Sequence, residues 1–164
     1  MSTGKSSREL ARFALLIALA MVLSWLESLV PLSLVVPGVK LGLANLVVIF
    51  ALYKLGPRQA AVISLVRVLL VTFTFGNAFN FAYSLAGAAL SFAVMLLLKK
   101  TGKFSLMGVS IAGGVCHNIG QILVAMAVLG TNLIWYLPAL LIAGTVAGVC
   151  IGAAGALVTA RVKL

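Results

Sequence analysis

The sequence predicts an all-α membrane protein with six transmembrane helices and both termini in the cytoplasm. Hydrophobic residues make up 63% of the 164 residues, and charged residues only 9%. A soluble domain of this size would not carry so large an apolar fraction, because its exterior must face water. Several apolar runs approach or exceed the about 20 residues that cross a bilayer. A single integral membrane domain over residues 1–164 follows.

Basic clusters separate the apolar runs and predict the topology. The net charge is +10, and ten of the twelve lysines and arginines lie within residues 5–12, 54–58, 99–103 and 161–163. Cytoplasmic loops of membrane proteins are enriched in such residues, so all four clusters are placed on the cytoplasmic side. No basic face interleaved with aromatic residues is present in the sequence, and nucleic-acid binding is therefore not indicated. Contact between these basic clusters and anionic lipid headgroups is the ordinary consequence of their position in cytoplasmic loops.

The six predicted spans follow from these boundaries. They cover residues 13–30, 39–53, 59–75, 82–98, 106–129 and 137–160. Glycine, proline and asparagine lie between them on the opposite side, as expected for turns. The first run partly fits a cleaved signal peptide, but it continues to Val30 and is long enough to span, so retention is expected.

The second span is short, with thirteen residues between Lys40 and Lys54. Such a helix covers about 20 Å, less than the about 30 Å of a bilayer core. Either the bilayer thins there, or the segment 31–39 enters the membrane before the helix begins. Under the second interpretation, the unpaired N–H groups and positive dipole end of the helix face a cavity.

Small residues recur at four-residue spacing in two spans. Ala14 and Ala18 lie in the first span, and Gly144, Gly148 and Gly152 form a ridge along the sixth. Small residues at this spacing allow helix backbones to approach closely in lipid. The ridge in the sixth span is expected to serve packing within the chain.

Polar residues within the spans converge on the outer half of the membrane and predict a binding pocket there. Arg67 lies about 13 Å along its helix from Arg58, near mid-bilayer, where an unpaired cation is costly. His117 and Gln121 are four residues apart and share one helix face. Lys40, Arg67 and, when protonated, His117 are three potential cations. Together with a helix N-terminus they indicate a small, anionic ligand. The candidate binding residues are Glu27, Lys40, Asn45, Arg67, Asn80, His117, Asn118 and Gln121.

Several of these residues have structural alternatives. Asn118 and Gln121 could serve only as hydrogen-bonding partners of neighbouring helices. Asn80 fits a turn position, and Lys40 could extend to the outer headgroups. Glu27 could form a structural ion pair with a nearby cation.

Catalysis is not predicted. The chain has no aspartate, and its only acids are Glu9 and Glu27. A magnesium diphosphate site needs several hard oxygen ligands, which this chain cannot supply alone. Cys116 and Cys150 lie in apolar stretches and are interpreted as small buried hydrophobes. The sequence therefore predicts a protein that is not an enzyme and binds no metal or cofactor.

Three motifs resemble the Gx transporter family, also labelled heptaprenyl diphosphate synthase component I. They are Pro37-Gly38-Val39-Lys40-Leu41-Gly42-Leu43-Ala44-Asn45, the run Gly-Asn-Ala-Phe-Asn-Phe-Ala-Tyr-Ser-Leu at 76–85, and Gly114-Val115-Cys116-His117-Asn118-Ile119-Gly120-Gln121. The resemblance covers nearly the whole chain. It implies a fold similar to the substrate-binding S components of energy-coupling-factor transporters.

The resemblance also implies partners. In that superfamily an alanine-x-x-x-alanine motif on the first helix docks against a transmembrane coupling subunit, and Ala14 and Ala18 match it here. Two cytoplasmic ATPase subunits would drive that coupling subunit, and the ligand would be a small anionic or vitamin-like molecule. The expected location is the bacterial cytoplasmic membrane. Two alternatives remain: a noncatalytic membrane subunit associated with heptaprenyl diphosphate synthase, and a standalone ion-coupled carrier.

Overall fold

The computed structural model describes residues 3–29, 42–129 and 133–162, and every regular element in these ranges is a helix. The elements are α1 (Thr3–Ser28), α2 (Asn45–Lys54), α3 (Pro57–Phe75), α4 (Ala78–Thr101), α5 (Leu106–Leu129) and α6 (Leu137–Arg161), with a short 3-10 helix, Leu133–Tyr136, before α6. Five of the described helices are long and apolar enough to cross a membrane, and α2 is a shorter apolar helix. The predicted all-helical membrane architecture is confirmed at this level.

Helix boundaries match the predicted spans closely for α3 to α6 and differ for the first two helices. The predicted fifth span, 106–129, has the same bounds as α5. The first helix begins at Thr3, ten residues before the predicted span, because a helix can continue through its charged first turns beyond the apolar core. The second begins at Asn45, whereas the predicted span begins at residue 39. Residues 39–41 lie outside the described part of the chain.

The short helix α2 forms the centre of the core. Its ten residues extend about 15 Å, half the thickness of a bilayer core. All residues from Val47 to Leu52 are buried, so the other helices enclose α2 on every side. Ile49 and Leu52 belong to the main apolar cluster together with Ile63 of α3 and Val109 of α5. The beginning of α2 therefore lies inside the protein.

Lys99 of α4 fixes the other end of α2. Its Nζ donates a hydrogen bond to the Leu52 carbonyl oxygen and lies 4.9 Å from the ring centre of Tyr53. A cation is favourable at the carbonyl end of a helix, where the last oxygens lack intrahelical donors. This lysine, predicted only as a topology charge, also ties α4 to α2.

Glycines bring α5 into close contact with both neighbouring helices. A Cβ atom added to Gly120 of α5 would lie 2.7 Å from the Ala86 oxygen of α4. Likewise, a Cβ atom at Gly148 of α6 would lie 2.5 Å from the Ile111 Cα of α5, and one at Gly152 would lie 2.9 Å from the Met107 Cα. The predicted packing role of the glycine ridge in the sixth span is therefore confirmed.

The first helix is the least enclosed of the long helices. Only 6% of its membrane-spanning window is buried, compared with 22% or more for the other four long helices. Ala14 and Ala18 are exposed, as are the neighbouring Leu15 and Leu19. The helix packs mainly on α3 and less on α2. An apolar face of α1 thus remains uncovered by the rest of the described chain.

Candidate functional site

A cavity lies between α2, α4, α5 and α6. It is narrow and partly open: the free space around its lining amounts to about 390 Å³, a figure that includes solvent outside the protein. We call it the interhelical cavity. Its lining residues are Gly42, Asn45, Ile49, Met95, Ser110, Gly114, His117, Asn118, Gly144, Ala147, Gly148 and Ile151. The lining joins hydrogen-bonding groups to apolar side chains and glycine backbone, which is the composition typical of small-molecule sites.

The cavity is close to the middle of the helices. Asn118 lies about 18 Å along α5 from its start at Leu106, and Gly144 about 10 Å along α6 from Leu137. Met95 and Ser110 extend the lining toward the α4–α5 turn. The predicted pocket was expected in the outer half of the membrane. Relative to the helices, the described cavity lies from their middle toward the α4–α5 turn. The segment 30–41, which contributes Lys40 to the predicted pocket, lies outside the described chain.

Asn118 combines a structural hydrogen bond with a place in the cavity wall. Its Nδ2 donates to the Leu140 carbonyl oxygen of α6 at 2.7 Å, and the residue is buried. The same side chain lies 2.9 Å from the position that a Cβ atom at Gly144 would take. The interpretation of Asn118 as a hydrogen-bonding partner of a neighbouring helix is confirmed. Its binding role stays a prediction, with which its place in the cavity wall agrees.

His117 and Gln121 lie over Gly87 of α4. A Cβ atom at Gly87 would lie 3.1 Å from the His117 Cε1 and 2.8 Å from the Gln121 Cγ, so only glycine leaves room for both side chains. His117 lines the cavity, whereas Gln121 lies one turn further along α5 and does not. Gln121 is fully buried, and neither Nε2 nor Oε1 has a hydrogen-bond partner among the described residues.

The unpartnered Gln121 amide leads to a testable prediction about stability. Replacing Gln121 with Met keeps a similar volume and removes two unsatisfied polar atoms, each of which costs about 1–3 kcal/mol when buried. We therefore expect Gln121→Met to raise the free energy of unfolding of the ligand-free protein. Thermal unfolding in detergent or lipid nanodiscs measures the change. The matched control is Asn118→Leu, which removes a satisfied hydrogen bond and should destabilise; a loss of stability in Gln121→Met would contradict the assignment.

The start of α2 differs from the expected anion site. The N–H groups of Asn45, Leu46 and Val47 donate to the carbonyl oxygens of residues 42–44, at 2.8 to 3.2 Å. The Gly42 N–H donates to Oε1 of Glu27 at 2.6 Å. The prediction of unpaired N–H groups facing a cavity was therefore wrong for these residues. The turn satisfies the first N–H groups of α2, and a carboxylate of the chain itself occupies the adjacent anion position.

The remaining predicted residues lie apart from the cavity or outside the described chain. Arg67 is not part of the cavity lining, and its buried Nε has no hydrogen-bond partner within the described ranges. Asn80 is exposed in the first turn of α4, where its N–H donates to Oδ1 of Asn77, the N-cap. This arrangement matches the turn interpretation of Asn80. Lys40 falls in the undescribed segment 30–41.

Sequence reasoning missed much of the cavity wall. Gly144 and Gly148 were assigned to packing alone, yet the same residues that bring α6 onto α5 also expose backbone to the cavity. Ser110, Met95 and Ala147 carried no distinguishing pattern, because single small or apolar residues in a span are common. Gly42 has a positive φ of 71°, a backbone conformation that favours glycine. The structure thus gives the reason for glycine at this position.

The fold defines a multi-pass helical membrane protein with an interior cavity. The chain belongs to the family described as heptaprenyl diphosphate synthase component I, whose family model matches residues 16–158. The family predicted from the three sequence motifs is confirmed. No curated protein and no solved structure matches the chain.

Proposed function

We propose that the protein is the membrane-embedded substrate-binding subunit of an energy-coupling-factor-type transporter, located in the bacterial cytoplasmic membrane with both termini inside. It captures a small molecule in the interhelical cavity and catalyses no covalent chemistry. The observation that carries this proposal is the cavity near the middle of the helices, which Asn45, His117 and Asn118 all line. Polar groups buried in a membrane protein commonly mark a substrate path.

The exposed face of α1 supports the partner assignment. Ala14 and Ala18 lie on a helix that contacts the rest of the described chain along one side only. Small residues at this spacing permit close approach of a second transmembrane helix. In the proposed complex this face binds the transmembrane coupling subunit, and two cytoplasmic ATPases supply the energy.

The family description favours one alternative. A component of heptaprenyl diphosphate synthase would be a noncatalytic membrane subunit that holds a soluble, aspartate-rich synthase near its lipid product. That role needs a cytoplasmic binding surface and gives the interhelical cavity no function. A standalone ion-coupled carrier is the third possibility, and Glu27 is the acid within the spans that could take part in coupling.

Co-purification separates these functions and tests the docking face. The tagged protein should retain a transmembrane subunit and ATPases after gentle extraction. The double variant Ala14→Leu with Ala18→Leu should lose them, because two larger side chains block close helix approach, while the yield of folded protein stays unchanged. Ala156→Leu, an exposed change on α6, is the matched control. Recovery of a soluble prenyl synthase instead, or transport by this chain alone in liposomes, would refute the proposal.

A further inference from the structure

Glu27 and Gly42 form the connection that joins α1 to the wall of the cavity. Glu27 lies in the last turn of α1, and its Oε1 accepts the Gly42 N–H at 2.6 Å. The Gly42 carbonyl oxygen in turn accepts the Asn45 N–H at 2.8 Å, which starts α2. Gly42 and Asn45 both line the interhelical cavity. One residue of α1 therefore holds the turn that begins the cavity wall.

The placement of Glu27 is otherwise unfavourable. A carboxylate in the last turn of a helix opposes the negative end of the helix dipole, and a charge within a membrane is costly without partners. The Gly42 N–H, at the positive end of α2, compensates by donating to this carboxylate. Hydrogen bonds to an ionised acceptor are about twice as strong as neutral ones.

We propose that Glu27 is a positioning residue for the ligand cavity, acting through the Gly42 turn. The Glu27 side chain does not belong to the described cavity lining. It is engaged with the Gly42 turn and leaves ligand contact to Asn45, His117 and Asn118. Through this bond, a displacement of α1 is transmitted to the cavity wall. The inference rests on the proposed function only in taking the interhelical cavity as the ligand site.

Cysteine reactivity tests the positioning role without any ligand or partner subunit. The full chain, with Cys116→Ala and Cys150→Ala, carries a reporter at Ile49→Cys and is reconstituted in lipid nanodiscs. Ile49 is 1% exposed and lines the cavity, so its alkylation by N-ethylmaleimide requires local opening of the wall. Ala125→Cys on α5, also buried but away from the cavity, is the control reporter.

Glu27→Ala should raise the alkylation rate of the Ile49→Cys reporter about tenfold or more, the effect expected for losing a hydrogen bond to a charged group. Glu27→Gln retains an acceptor oxygen and should stay within about threefold of the parent, since a neutral acceptor keeps part of that bond. The Ala125→Cys rate should be equal in all three backgrounds.

Three results would overturn the proposal: no change with Glu27→Ala, an equal increase with Glu27→Gln, or a parallel increase at Ala125→Cys. The first would show that the bond does not position the wall, and the second that the acceptor oxygen is not the operative feature. The third would show general loosening of the fold. Failure of the transporter assignment would appear in the co-purification experiment and would leave these rates unaffected.

Discussion

Gly148→Ala is expected to destabilise the protein by about 3 kcal/mol or more, because the added Cβ atom has no space to occupy. It would lie 2.5 Å from the Ile111 Cα and 3.0 Å from the Ser110 oxygen, both backbone atoms of α5. A backbone atom cannot rotate away as a side chain can, so α5 and α6 must separate. The measurement is thermal or denaturant unfolding in nanodiscs.

Gly108→Ala in α5 provides the matched control. A Cβ atom there would meet its nearest side-chain atom at 3.6 Å, an ordinary contact distance. Alanine also forms helices more readily than glycine, by about 1 kcal/mol. We therefore expect Gly108→Ala to be neutral or slightly stabilising. Equal stability of the two variants would contradict the close α5–α6 approach that forms one side of the cavity.

Ala147→Leu is expected to abolish ligand retention while the fold persists. Ala147 lines the interhelical cavity and is only partly buried, so a leucine side chain occupies the space proposed for the ligand. Overpacking by a few carbon atoms costs about 1–3 kcal/mol, and a loss of binding free energy of that size lowers ligand affinity by about 5-fold to 150-fold. The amount of small molecule released from the purified protein by denaturation measures the effect.

The control for this prediction is again Ala156→Leu, which makes the same chemical change at an exposed position of α6. It should keep the ligand content of the parent. Co-purification of the coupling subunit should be unchanged in both variants, because neither lies on α1. Loss of the partner in Ala147→Leu would indicate a disturbed fold instead of a blocked cavity.

The sequence predicted the helices well where their ends are set by local chemistry. The apolar run of α5 follows Lys103 and the turn around it, and the predicted bounds 106–129 agree with the structure. The turn before α2 includes a distant contact, since the Gly42 N–H donates to Glu27, fifteen residues earlier in the chain. No local pattern marks such a contact, and the helix begins later than the apolar run.

The candidate site also depends on contacts between residues that are distant in the chain, and the sequence predicts only part of it. Position along a helix follows from residue counting, and Asn45, His117 and Asn118, which were predicted for one pocket, all line the interhelical cavity. Which helix each face meets depends on rotation about the helix axis and on neighbours. Gln121 therefore lies against Gly87 of α4, and Arg67 is not part of the described cavity lining, although both were predicted in the pocket.

The central claim is that this membrane protein holds a small molecule in the interhelical cavity. Native mass spectrometry of the protein released from lipid nanodiscs tests it most directly. We expect the parent and Ala156→Leu to carry one reproducible small-molecule mass, and Ala147→Leu to lack it. The same bound mass in all three proteins, or none in the parent while a prenyl synthase co-purifies, would contradict the claim.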